Sequence, residues 1–218
     1  MFKEKIKLNK YYISILLFAI FITGAAVLNA NIEKFGEEEP TYTITTSSWS
    51  EEVLNNSFIY ENSESIIIGH VLKILPSRWN TADGKKPDYT GMPTSKEEAN
   101  KRYQEETIYT DVIIRVDETI KDESTPQVIT VRTSGGQVGN YIGIVEDEAK
   151  FEEGEKVMLF LTKEDPFTDN SARTHYRVTS WKFGKFSITE DNQAVRPDVP
   201  EKYRKIPLYE LLDSIGAQ

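Results

Sequence analysis

Cysteine is missing from all 218 residues of this chain. Its absence excludes disulfides, thiolate metal sites, a cysteine nucleophile and a lipid anchor attached through cysteine. Histidine occurs only at His70 and His175, with no short helical pair such as His-Glu-x-x-His to hold zinc. His70 lies in a strand pattern beside Gly69, Val71 and Leu72, where a hydrogen-bonded structural histidine is the simpler reading; His175 opens another strand next to Tyr176. Basic charge is also scarce. Beyond the first ten residues the chain holds 22 Lys and Arg against 34 Asp and Glu, net −12. A field of that sign repels phosphate backbones and anionic lipid, and no local basic patch offsets it, so no nucleic-acid partner is expected.

Reaction motifs are lacking as well. Ser134 precedes two glycines but has no Gly-x-Ser-x-Gly elbow around it. Thr133–Gly139 is glycine-rich, yet it lacks the Gly-Lys-Ser/Thr ending of a phosphate loop, and a short strand, Asn140 to Val145, follows where a dinucleotide site needs a helix. A β-turn or bulge is expected there. Glu37–Glu39, Glu105-Glu106 and Glu146–Glu148 read as solvated runs, and Asp165–Asn170 departs from the EF-hand pattern and reads as a surface turn. No catalytic residue, metal site or cofactor is assigned. Asn55-Asn56-Ser57 is a glycosylation sequon, meaningful only where a transferase is present.

What the sequence does have begins at its start. Lys3, Lys5, Lys7 and Lys10 run into Tyr11–Leu28, which carries no charge. Basic residues stay on the cytoplasmic side while an apolar run enters the bilayer, which sends the C-terminal body across. A spanning helix needs about 20 apolar residues, with about 17 as the lower limit. Leu28-Asn29-Ala30 fits the small-residue cleavage pattern only in part, because Leu28 is bulky. Residues 1–30 are therefore read as a signal anchor, with a signal peptide cleaved after Ala30 as the alternative. The membrane is the expected partner through Tyr11 to Leu28. The expected location is the cell membrane, single-pass with the body outside, or secreted if the segment is cleaved. Residues 31–48, acidic and then rich in Ser and Thr, read as a polar tether, and 49–218 as one extracytoplasmic β-rich domain.

In that domain the dominant period is two. Ser65–Leu75 is a continuous apolar strand, long enough to be buried on both faces. Tyr109–Ile120 alternates, with Val112, Ile114 and Val116 on one face and Asp111, Arg115 and Asp117 on the other. Gln127–Thr133 turns Ile129 and Val131 inward, and Val157–Leu161 is apolar throughout. Tyr176–Trp181 and Lys185–Thr189 follow, with Glu190-Asp191-Asn192 as turn material before Ala194-Val195. The expected fold is mainly β: a small antiparallel barrel or sandwich with peripheral helices. Ser50 with Glu51-Glu52 predicts a short helix packing Trp49, Val53, Leu54 and Phe58. Ser95–Glu98 is a capping box for a helix to about Glu106. Pro207, then Leu208, Leu211, Leu212 and Ile215 with Gly216 behind, predict a core-facing C-terminal helix.

The connection from Pro76 to Glu106 is far longer than the usual few residues between neighbouring strands. Trp79, Tyr89 and Tyr103 are its candidate binding residues, set among turn-forming Asp83-Gly84 and Pro87-Asp88. The competing reading is that these rings only pack the insertion onto the body.

The order of "SESIIIGHVLKI", "YTDVIIRVDETIKD", "VITVRTSGG", "FEEGEKVMLFL" and "YRVTSWKFGKFSI" resembles exported archaeal and bacterial proteins with an OB-like barrel of the netrin or metalloproteinase-inhibitor type. The similarity spans roughly Ser65 to Ile188. Inhibitors of that type chelate a protease zinc through an N-terminal cysteine, which this chain does not have, so inhibition is not implied. The functional expectation is a membrane-tethered binding or envelope-interaction module for an unidentified protein or envelope ligand. A metal-assisted hydrolase using His70 or His175 with carboxylates, and a structural surface protein, are the alternatives.

Overall fold

The fold turns on strand β2, Ser65–Ile74. A computed structural model describes residues 39–46, 48–163, 175–197 and 199–216. The expected anchor or signal peptide, residues 31–38 and 47 of the tether, and the Asp165–Asn170 turn lie outside the described residues.

Continuous apolar runs form where both faces of a strand are covered, and β2 meets that condition. It pairs antiparallel with β4 (Ile108–Lys121) on one side and β8 (Lys156–Thr162) on the other. Ile66 and Ile68 of β2, with Met158 and Phe160 of β8, face one core that also holds Phe186 and Leu211. Ile67 and Val71, with Val157, Leu159 and Leu161, face a second core with Val112, Ile114, Ile129 and Val131. The alternation in β4 is realised: Val112 and Ile114 are buried, while Asp111 on the outer face pairs with Arg132 of β5 (Val128–Ser134) at 2.8 Å. Asp111 and Arg132 are direct cross-strand partners, the arrangement in which opposite charges stabilise a sheet.

Among the described residues the main sheet also takes in β3 (Arg78–Trp79), β9 (Arg177–Val178), β10 (Lys185–Ile188), β11 (Gln193–Val195) and β12 (Lys205–Pro207). Its order is β12-β11-β10-β8-β2-β4-β3, with β5 on β4 and β9 on β8. The expected antiparallel barrel or sandwich is met as a mainly β fold, and among the described residues no barrel closes: β9 is two residues long, and β5, paired with β4 along its length, has on its other edge only an isolated parallel bridge of Val131 with Tyr176. Two hydrogen bonds of 2.8 Å, Arg132 N to Tyr176 O and Tyr176 N to Thr130 O, make that bridge.

A second sheet has the order β1-β7-β6, from Thr41–Thr45, Tyr141–Val145 and Gly136–Val138. β1 therefore occupies part of the segment expected to be a tether, and it pairs with β7 in parallel. The glycine-rich stretch Thr133–Gly139, expected as a β-turn or bulge, runs from the end of β5 through β6 into the turn that leads to β7. Gly136 has φ 128°, and a Cβ there would run into the hydroxyls of Ser77 and Thr110.

Helix α1 (Asn56–Glu61) begins one turn later than expected. Asn55 caps it, accepting from Ser57 N at 2.9 Å, while Ser50 makes no side-chain cap and precedes a single 3-10 turn. Ile59, not Phe58, is the buried residue of this helix. Helix α2 (Lys96–Glu105) follows its capping box, with Glu98 N donating to Ser95 Oγ at 3.1 Å. After a short α3 (Glu201–Arg204), α4 (Leu208–Ser214) buries Leu211 in the first core, as its spacing predicted. Among the described residues no helix is long and apolar enough to cross a membrane.

Candidate binding cavity

The Pro76–Glu106 insertion is laced to the body by its own polar groups. β3 pairs Trp79 with Ile108, and Asn80 ties back through its backbone to Thr107 O (2.9 Å) and its side chain to Gln104 O (3.1 Å). In α2, Arg102 donates to Gly91 O at 2.8 Å, pairs with Glu98 at 2.5 Å and lies 4.7 Å from the centre of the Tyr89 ring. These contacts turn a long connection into a fixed wall.

Between that wall and the β1-β7-β6 sheet lies a cavity of 370 Å³, at the small end of the range for ligand sites. Parallel pairing of β1 with β7 puts residues 41, 43 and 45 beside 141, 143 and 145. Period two then aligns the hydroxyl-bearing Thr41, Thr43 and Thr45 along one side of the cavity. Trp79 packs edge-on against Tyr141, ring centres 5.5 Å apart. Lys86 donates to Tyr141 Oη at 2.7 Å and lies 4.0 Å from the centre of its ring.

Trp181 completes the lining. It follows Ser180, and both are left-handed, with φ of 58° and 55°. Such a conformation costs a non-glycine residue about 1–3 kcal/mol and collects at functional sites. Here it is held by Lys182 N donating to Asp147 O at 2.8 Å, by the Lys182–Asp147 ion pair at 3.0 Å, and by Trp49, whose ring centre is 5.9 Å away. Behind the lining, Glu148 accepts from Ser134 N (2.8 Å) and Arg177 Nη2 (3.0 Å), and the same nitrogen donates to Ser134 Oγ at 2.9 Å. Burial pushes the Glu148 carboxyl up, against the pull of Arg177 and Ser134.

Of the three residues predicted for binding, two meet on this cavity. Trp79 is only 7% exposed and forms its interior, while Tyr103 is 63% exposed and lines the same space. Tyr89 does not line the cavity; its ring packs on Arg102. Tyr141, Trp181 and the β1 threonines carry no site assignment from sequence, and Asp147 and Glu148, expected in a solvated run, are buried at 8% and 6% exposure. The Thr-Tyr-Thr-Ile-Thr alternation is a strand signal for the β1 threonines, masked by the polar run around it. Tyr141 and Trp181 carried no local signal beyond being aromatic.

The histidines do not join the cavity lining. His70 is partly exposed, its Nδ1 2.5 Å from Asp117 Oδ2, with Arg115 also on Asp117 at 2.9 Å. Burial raises the Asp117 carboxyl most, but the bonds from Arg115 and His70 together outweigh it and hold the group below its usual range. His175 is buried on the chain leading into β9. Among the described residues no group of three or more His, Asp or Glu is placed to hold a metal ion.

No protein-family model matches the sequence, and no curated protein matches it.

Proposed function

We propose that this chain is a membrane-tethered, extracytoplasmic binding module whose ligand enters the cavity between the Pro76–Glu106 insertion and the β1-β7-β6 sheet. One observation carries the reading: the insertion's Trp79 and Tyr103 line a concave, aromatic space together with Tyr141 and Trp181. A mostly apolar hollow with a few convergent polar groups is the usual form of a ligand site. Tethering rests on the charge-free Tyr11–Leu28 stretch behind a basic start.

The OB-like resemblance belongs to the same proposal. Such a fold is a five-stranded, partly open Greek-key barrel. The neighbour relations β2–β4, β4–β5 and β8–β2, with β9 on β8 and Tyr176 beside Val131, support it.

The chain has three tryptophans, so 5-fluorotryptophan labelling reports the site directly. The full chain, in a detergent without a sugar headgroup, is titrated with a library of small amphipathic compounds and followed by fluorine NMR. Compounds that enter the cavity are expected to move the Trp79 and Trp181 signals together. A library in which nothing moves either signal overturns the assignment of the cavity.

A further inference from the structure

We infer that the cavity takes a neutral carbohydrate, the end or a short stretch of an oligosaccharide; this rests on the reading of the cavity as a ligand site. The chemistry of its walls selects among ligand classes. Thr41, Thr43 and Thr45 line it from alternate positions of one strand, so their Cα atoms are spaced about 6.5–7 Å apart. Each hydroxyl both donates and accepts, and none of the three makes a side-chain hydrogen bond among the described residues. A row of such groups matches a ligand with hydroxyls at regular intervals. The other walls offer the rings of Tyr103 and Trp181, whose electron-rich faces attract partly positive C–H groups. A sugar ring presents both: C–H bonds on its faces and hydroxyls around its edge.

Other classes fit less well. An anion would meet the carboxylate of Glu106 in the same lining, within a body of net −12. A cation would meet Lys86, whose ammonium already occupies the space over the Tyr141 ring at 4.0 Å, while Asp147 is already neutralised by Lys182 at 3.0 Å. A hydrocarbon would strip water from the threonine hydroxyls and the carboxylates and offer nothing in return. A neutral polyol satisfies each group: the carboxylates accept from its hydroxyls, and the threonines exchange bonds with it.

The test uses the same fluorotryptophan-labelled full chain, titrated with chitotriose, cellotriose and maltotriose at millimolar concentration. At least one is expected to move the Trp79 and Trp181 signals saturably. Thr43→Val, which removes one hydroxyl at nearly constant volume, should weaken that binding about two- to tenfold. Tyr103→Ala should weaken it about tenfold or more. Circular dichroism and Tm confirm that both variants fold. If small amphipathic compounds move the two signals and none of the trisaccharides does, the carbohydrate assignment is overturned and the cavity stands. If nothing moves them, both fall together. Trisaccharide binding that is indifferent to both substitutions places the sugar elsewhere and also overturns the inference.

Discussion

Glu148 and Arg177 show how a pair of buried charges sits directly behind a candidate site. Both side chains are 7% exposed and 3.0 Å apart, so neither charge can turn to water. Removing one partner of such a pair leaves the other uncompensated, and Arg177→Met is expected to cost about 3–5 kcal/mol in urea unfolding. The pH dependence has a definite sign. Burial raises the Glu148 carboxyl above its ordinary value of 4.5, so the folded state holds this proton more tightly than the unfolded chain. The stability Glu148 contributes is therefore whole below about pH 4.5 and is lost as pH rises through the raised value. Glu148→Gln keeps the neutral shape, and its stability curve should be flatter than wild type over that window. A curve for this variant that still falls as steeply would show that another group is responsible. Trp181 belongs to the same scale: nothing in the local pattern announces its left-handed backbone, because the turn is held through Lys182 by Asp147, which lies far away in the sequence.

Helix α2 was legible as an element, down to its cap. The structure adds what the capping carboxylate does: Glu98 accepts from Thr94 N at 2.7 Å and Thr94 Oγ1 at 2.8 Å, and pairs with Arg102, which in turn holds Tyr89. The Thr94 bonds, then Arg102, hold the Glu98 carboxyl down at about 2. A depressed carboxyl contributes above its unfolded value and loses that contribution as pH falls toward the folded one. Amide exchange at the start of α2 is therefore expected to speed up between pH 4.5 and about 2, with the Tyr89 ring released in the same window. Glu98→Ala should show both changes at neutral pH; an unchanged exchange pattern would mean that the cap does not secure the insertion. Strand β1 is the opposite case. Its alternation was visible, but its partner, β7, lies about a hundred residues away, and no local pattern names a parallel partner at that distance.

For the whole molecule, β2 and β8 act as a shared partition between two cores. Adjacent β8 residues point opposite ways, Leu159 into one core and Phe160 into the other, and both are fully buried. Leu159→Ala should cost about 2–5 kcal/mol and Phe160→Ala about 3–5 kcal/mol. Because one backbone carries both, each substitution is expected to lower the midpoint of a single transition, read by circular dichroism and by tryptophan fluorescence alike. Two separated transitions would show that the cores unfold independently.

The apolar runs and alternations along the chain were enough to establish a mainly β body, its central strand, the inward faces of β4 and β5, and the helices at Ser95 and Pro207. Those properties depend on neighbours a few residues apart, where side-chain period and capping act. The sheet order, the limited contact between β5 and Tyr176, and the cavity came from pairing across long separations. Trp79 and Tyr103 were within reach of sequence reasoning because an unusually long connection marks itself. Their companions Tyr141, Trp181 and the β1 threonines gained their place only through strand register and a turn strained by distant contacts, neither of which a local pattern encodes.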